Sequence, residues 1–333
     1  MKSTTRFALF AATSLYASLA HAAPQAPQQT PDSYAVAGER VAIAPGRALN
    51  LRCVGEGPQT VLLEAGGNAD ASTWFRVQSL LAPRARVCAY DRAGYGFSDE
   101  GPMPRDLEAD VADLAALVAA AKLQTPLVLV GHSLGSNIVR AYALQHPEDV
   151  RALVLVDPPE QGADTRLPQA WKDQDEAGRK RRDAFLDACL AAAEAGTLDK
   201  AAAPLSSCLR APPPWQSAAV AAATRAYKLT PAYWRTLRSE LDANTAIFAA
   251  PVPADESHGD TPVVVLAAPA RLDGVPEDVA TAMREAHEQT RARLVATSRN
   301  GRRIDVADTS HDIQLDAPHA VAAAVGEVLA ARP

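Results

Sequence analysis

The sequence predicts an α/β protein: a mostly parallel sheet with helices on both faces, interrupted by one all-helical cap. Three observations carry this. Short runs apolar throughout, as strands covered on both faces require, alternate with helical patterns. One of these runs enters a Gly-x-Ser-x-Gly turn that opens directly into a helix. A single stretch, 160 to about 257, has no strand-like run at all.

In chain order, Lys2 and Arg6 precede the apolar run Phe7 to Leu19, and Ala20-His21-Ala22 forms a small-x-small cleavage site. The run is short for a bilayer span, so residues 1–22 read as a signal peptide and the product as exported, periplasmic or secreted. Cleavage removes Lys2 and Arg6 and leaves 31 Lys plus Arg against 39 Asp plus Glu, a charge of −8 where the full chain has −6. Such an acidic chain has no electrostatic reason to favour nucleic acid or anionic lipid, and no later stretch is apolar enough to cross a membrane. The next segment, 23–33, is polar and Pro-rich and is expected to be disordered.

The remainder divides into a core, 34–158 and 259–333, and a cap, 159–258. Strands are expected at Leu49 to Val54, Thr60 to Leu63, Arg86 to Tyr90, Pro126 to Val130, Arg151 to Val156, Pro262 to Leu266 and Arg302 to Val306. Leu107, Val111, Leu114 and Val118 share one face of a helix that Asp106 can cap and that ends near Lys122. Another helix starts at Ser133 and stops at His146, because Pro147 cannot continue it. Within the cap, Arg179 to Ala195 and Ala218 to Lys228 read as helices, with breaks at Pro204, Pro212 to Pro214 and Pro231. The cap aromatics Trp171, Trp215, Tyr227, Tyr233 and Trp234 could line a pocket, but aromatics in helical segments more often fill a core.

Gly131-His-Ser-Leu-Gly135 follows the strand ending at Val130 and precedes a helix. A sharp strand-to-helix turn exposes its central serine, and glycines make room where side chains would collide. Ser133 is therefore the expected nucleophile, and a serine hydroxyl needs a base to take its proton. Of seven histidines, His21 leaves with the leader, His132 lies inside the turn, and His146, His258, His287 and His319 sit in segments without a motif. His311 follows the last strand across the short loop Ala307 to Ser310, which suits the base in position and in chain order. The N–H of Leu134 and that of Gly67, in the Gly66-Gly67-Asn68 loop, are the expected donors to a developing oxyanion.

The segments Leu62-Leu-Glu-Ala-Gly-Gly67, Ala71-Ser-Thr-Trp74, Val87-Cys-Ala-Tyr-Asp-Arg-Ala-Gly-Tyr-Gly-Phe-Ser98, Val130-Gly-His-Ser-Leu-Gly135, Leu153-Val-Leu-Val-Asp-Pro158 and Ser310-His-Asp-Ile-Gln-Leu-Asp-Ala-Pro318 occur in this order. Together they resemble the α/β-hydrolase superfamily, and more narrowly its exported bacterial members akin to prolyl-aminopeptidase-like hydrolases. The resemblance covers about residues 45 to 158 and 260 to 331; the cap resembles nothing specific. It implies the α/β-hydrolase fold with an eight-stranded sheet, and assigns Asp91-Arg92-x-Gly-x-Gly-x-Ser98 to organising the site's edge. It makes the second and fourth strands neighbours, which permits a Cys53–Cys88 disulfide and leaves Cys189 and Cys208 to pair within the cap.

The acid that orients the imidazole stays open at this point. The superfamily usually places it after the seventh strand, where the nearest carboxylate is Asp273; some relatives place it after the sixth, at Asp157, and Glu160 is a third candidate. The implied reaction is cleavage of a small-molecule ester or amide through an acyl-enzyme, without metal or other cofactor. Ser133 argues against the relatives that use an aspartate nucleophile, the epoxide hydrolases and haloalkane dehalogenases. Acyl transfer to an alcohol or perhydrolysis would use the same residues, and a non-catalytic binding module is the alternative from another class.

Overall fold

The computed structural model describes residues 29–162 and 166–331, so the signal peptide expected at 1–22 lies outside the described residues. Of the segment expected to be disordered, 29–33 are described, and they depart from that expectation. Thr30 is buried, and its N–H and hydroxyl both donate to the Trp215 carbonyl, at 2.9 and 3.0 Å. A short helical turn, Asp32–Ala35, follows.

Eight strands form one sheet: β1 (Glu39–Ala44), β2 (Arg47–Val54), β3 (Thr60–Glu64), β4 (Arg86–Tyr90), β5 (Leu127–His132), β6 (Val150–Val156), β7 (Val263–Ala267) and β8 (Gly301–Asp305). Their spatial order is β1-β2-β4-β3-β5-β6-β7-β8. The β1–β2 and β2–β4 pairings are antiparallel and the others parallel. The sequence reading missed β1, and the reason is its position. It is an edge strand with one partner and only Val41 fully buried, so no apolar run marks it.

The period of two along a strand sends alternate residues to opposite faces. Leu62, Leu129 and Leu153 therefore join one core layer, and Val61, Val128 and Val154 the other. The first layer is covered by α2 (Leu107–Ala120), α3 (Leu134–Gln145) and α7 (Glu277–Val295), through residues such as Leu114, Ile138 and Leu294. The second is covered by α1 (Phe75–Leu81) and α9 (Pro318–Ala330), through Val77, Leu81, Val321 and Val325. Each such side chain contributes about 1.5–3 kcal/mol on full burial. Asp106 caps α2 as expected, accepting the Ala109 N–H at 2.9 Å. A four-residue helix, α8 (Ile313–Asp316), precedes α9.

Among the described residues, three α-helices lie between β6 and β7: α4 (Gln169–Glu194), α5 (Ala218–Lys228) and α6 (Pro231–Ala249). Their own core includes Leu186, Tyr233, Trp234 and Leu237. Helix α4 begins ten residues before the expected Arg179, because its first turns are exposed and carry no apolar stripe. Pro231 starts α6 rather than merely separating it from α5; at the first helical position its missing N–H costs nothing.

Both disulfides are present. Cys53 and Cys88 face each other directly across the β2–β4 register. Cys189 on α4 is tied to Cys208 on the following short turn, with a sequence separation of 19. A loop of that length gives about 3 kcal/mol in the chain-entropy account. Replacing Cys189 and Cys208 together by serine is expected to lower urea stability by about that amount. Thiol titration of the denatured, unreduced wild type should find essentially no free thiol, and a full complement of thiols would contradict both bridges.

Candidate active site

The site lies at the carboxyl ends of the central parallel strands, where open α/β sheets bind ligands. Ser133 stands between the end of β5 and the start of α3 with φ 49° and ψ −122°, a conformation costly for a residue with a side chain. Its N–H donates to the Val156 carbonyl at 3.0 Å, so the ladder to β6 continues into the turn. The flanking glycines are obligatory here. A Cβ on Gly131 would come within 2.4 Å of the Gly135 carbonyl oxygen, and one on Gly135 within 2.6 Å of the Glu64 carbonyl oxygen. Helix α3 can thus pack directly on β3 and β5.

His311 lies in the loop between β8 and α8, with its side chain about 50% exposed. Its Nδ1 bonds Asp157 Oδ2 at 2.7 Å, which puts the proton on Nδ1 and leaves the Nε2 lone pair free. Asp157 stands at the end of β6 with φ 41° and is mostly buried. Its other oxygen accepts the Ala268 N–H at 3.0 Å and Arg291 Nη2 at 3.1 Å. Burial alone would raise the Asp157 carboxyl; the His311 and Ala268 hydrogen bonds and the His311 and Arg291 charges outweigh it and hold it below its ordinary value. Burial likewise acts to lower the His311 imidazole, but the bond to Asp157 and its negative charge outweigh that and hold it above its ordinary value.

His132 packs its ring 4.7 Å from that of His311 and donates from Nε2 to the His311 carbonyl at 2.9 Å. Gln314 Nε2 donates to its Nδ1 at 3.3 Å. Burial, reinforced by the His311 charge, pulls His132 down to about 4, so it stays neutral and serves as a rigid support.

Ser133, Asp157 and His311 line one cavity of about 740 Å3, to which the cap contributes Trp171, Leu241 and Phe248. A hydrogen bond between the Ser133 hydroxyl and the His311 ring is not among those formed; such contacts often tighten only when substrate is bound. Leu134 opens α3, so its N–H has no carbonyl one turn back. Gly67 stands opposite: a Cβ there would lie 3.9 Å from Leu134 Cβ and 3.5 Å from Glu240 Oε1. The loop carrying it is held from behind. Arg92 donates to the Ala65 carbonyl at 2.7 Å and to the Gly66 carbonyl at 2.8 Å, and the Asn68 N–H donates to Glu240 Oε1 at 3.1 Å.

A profile of the alpha/beta hydrolase fold matches residues 59–246, more than half of the chain. The chain belongs to this family. Against the (lyso)-N-acylphosphatidylethanolamine lipase of Mus musculus it is 29% identical over 115 residues, 32% of this chain and 34% of that protein. The chain spans about a third of the length of the curated relatives it matches. Among solved structures, an esterase from Thermogutta terrifontis superposes with a TM-score of 0.55 at 22% identity, covering 88% of this chain and 97% of that one. An epoxide hydrolase from Vigna radiata gives 0.58 at 16%, covering 86% and 96%. At such identities the likeness speaks to the fold.

Within this α/β-hydrolase frame, one expectation is corrected. Asp273, placed where the superfamily usually keeps its acid, is exposed in a turn before α7 and is not the partner of His311. The segment after β7 instead brings Arg271 beside the histidine loop, where Nη2 bonds the Thr309 carbonyl at 3.2 Å. Glu160 lines the same cavity but bonds His287 Nε2 at 2.5 Å. Sequence reasoning missed Arg291 and Glu240, which sit in ordinary helical patterns of α7 and α6 and are marked only by tertiary contact. Of the cap aromatics, Trp171 lines the Ser133 cavity, Trp215 and Tyr227 line another, and Tyr233 and Trp234 are core. Among the described residues, His146, Glu148 and Asp149 group their ligand atoms within 4.8 Å, but at the opposite end of the strands.

The electrostatics give a direct expectation. The Asp157 charge favours imidazolium, and the burial that opposes it remains when the charge is removed. Asp157→Asn should therefore move the His311 titration, followed by NMR, to lower pH; an unchanged or higher titration would contradict the pairing.

Proposed function

We propose that the protein is a serine hydrolase that cleaves an ester or amide bond of a small molecule through an acyl-enzyme on Ser133. The observation that carries this reading is the Asp157–His311 pair at 2.7 Å, sharing one cavity with a serine at a strained strand-to-helix turn. In this reading His311 Nε2 accepts the Ser133 proton as the hydroxyl attacks the carbonyl. The N–H groups of Leu134 and Gly67 bind the oxygen that becomes negative. His311 returns the proton to the leaving alcohol or amine, and water repeats the sequence on the acyl-enzyme. Asp157 keeps the imidazole in the required tautomer and stabilises its charged form.

Arg92 contributes to the oxyanion site indirectly. It bonds the Gly66 carbonyl, which belongs to the same peptide unit as the Gly67 N–H, so the guanidinium charge withdraws electrons from the donor and fixes its direction. The Ser133 side chain also separates this chain from family members that attack with aspartate, whatever the resemblance of fold.

The protein is further proposed to be exported. Two disulfides favour an oxidising compartment, and among the described residues no helix is long and apolar enough to cross a membrane. Expression of the whole chain in a bacterium should yield an extracytoplasmic product beginning at Ala23.

A fluorophosphonate probe should label the wild type and fail to label Ser133→Ala; labelling of the variant would refute the assignment of the nucleophile. Asp157→Asn should lower turnover by roughly 10⁴-fold, as in protease triads, while Asp273→Asn leaves it within about twofold. Since the base acts neutral and its pKa is raised, kcat/KM should rise with pH and reach half its plateau on the alkaline side of 6.5. Parallel p-nitrophenyl ester and aminoacyl nitroanilide panels decide between ester and amide, and added alcohol reveals any acyl transfer.

A further inference from the structure

A second cavity, of about 450 Å3, lies between the Asn68–Thr73 segment and the cap stretch from Leu209 to Lys228. It is distinct from the cavity at Ser133: none of Ser133, Asp157 and His311 lines it. Asn68 borders the second cavity, and its side-chain oxygen accepts the Tyr233 hydroxyl at 2.6 Å.

Three cations line this space: Arg210, Arg225 and Lys228. Among the described residues, none of the three has a carboxylate at ion-pair distance. Four other cap arginines, Arg179, Arg182, Arg235 and Arg238, are paired with Asp175, Asp183, Glu100 and Asp242. The carboxylate that does line the cavity, Asp70, is already engaged. It accepts from the Ser72 N–H and hydroxyl on one oxygen and from the Tyr227 hydroxyl on the other.

Lys228 is the innermost of the three, half-buried, with its ammonium 5.4 Å from the centre of the Tyr233 ring. Burial pulls it below the ordinary lysine value, and the attraction of Asp70, opposed by Arg210, does not restore it. An incompletely compensated ammonium in such a place is stabilised by an anion. Leu209, Pro213 and Trp215 give the remaining wall an apolar side, while Ser72, Thr73, Gln216 and Thr224 are its polar members. Its volume falls within the range of small-molecule sites.

We propose that this second cavity binds a small organic anion, a carboxylate on an apolar body, with Lys228, Arg210 and Arg225 facing the charge and the Leu209 to Trp215 wall facing the apolar part. The ligand lies beside Asn68 rather than over Ser133, so binding does not depend on the proposed hydrolysis. An apolar body distinguishes the site from a mere cationic patch, and the unpaired cations distinguish it from a greasy cleft.

Calorimetric titration of the full chain with octanoate, octanamide and inorganic phosphate tests this. Octanoate should bind one site, with octanamide and phosphate each about tenfold weaker or more. Lys228→Gln combined with Arg225→Gln should weaken octanoate about tenfold. Arg271→Gln, in the Ser133 cavity, should leave it unchanged. Melting temperature reports whether the double variant is folded; if it is not, the exposed Arg210→Gln alone should produce a several-fold loss. Absence of octanoate binding overturns the proposal, as does octanamide or phosphate binding equally well. Loss of octanoate binding in Arg271→Gln, but not in the Lys228 and Arg225 variants, would transfer the ligand to the other cavity and overturn it as well.

Discussion

The close approach of α3 to β3 and β5 at Ser133 governs the geometry of the whole centre. A residue with a side chain at φ 49° costs about 1–3 kcal/mol, and it persists only where its surroundings over-determine it. Here they do so from three directions. The strand β5 enters with every residue buried, the Ser133 N–H remains on the β6 ladder, and α3 leaves with nine of its twelve residues buried. Gly131 and Gly135 are consequences of the same contact. A methyl group at either position would strike backbone rather than a side chain that could move aside. Packing of the helix onto the sheet thus supplies the energy that holds the serine in its strained position at the cavity.

The opposite wall is held by charge instead of packing. Arg92 is buried with Glu64 and Glu240, and it spends two further hydrogen bonds on the carbonyls of Ala65 and Gly66. Taking three charges out of water is expensive, and burial raises Glu64 to about 7 despite its bonds to Arg92 and Tyr90. What this arrangement gains is direction. Glu240 comes from α6 of the cap, Glu64 from β3 and Arg92 from the turn after β4, so one network fixes the loop between them to both parts of the molecule. Asp91 plays a related part next to it, accepting from Asn50, Ala71 and Phe97, while Gly96 at φ 51° leaves the room that its carboxylate occupies.

Legibility in the sequence followed the range of the interactions. The turn at Ser133 was readable because strand, glycines and helix are contiguous, and α5 was readable from its Ala218 to Lys228 pattern for the same reason. The cysteine pairs were accessible through the strand order that the resemblance implied, and the register of β2 on β4 brings Cys53 and Cys88 together. The edge strand β1 was not readable, having one partner and little buried surface. Nor was the choice among Asp157, Glu160 and Asp273. All three are acids in the right part of the chain, and what separates them is direction in space. Asp157, at φ 41°, reaches His311 154 residues away; Glu160, three residues on, reaches His287 instead; Asp273 remains in an exposed turn.

The same direction explains why Arg291 belongs to the account of the histidine. Asp157 has two oxygens and two charged neighbours, and the partition is clean: Oδ2 to His311, Oδ1 to Arg291 and the Ala268 N–H. Arg291 is itself anchored on the Ala268 carbonyl at 2.7 Å, so the guanidinium and the peptide of Ala268 clamp the carboxylate in one orientation. A permanent cation beside a carboxylate lowers its pKa and also weakens its pull on a protonated imidazole. With its carboxyl held below the ordinary value and the imidazole held above its own, Asp157 stays ionised throughout the His311 titration. A base must lose its proton to be useful as well as regain it. In the proposed reaction, Arg291 and the Ala268 peptide thus act on the histidine through the carboxylate, whose direction they fix.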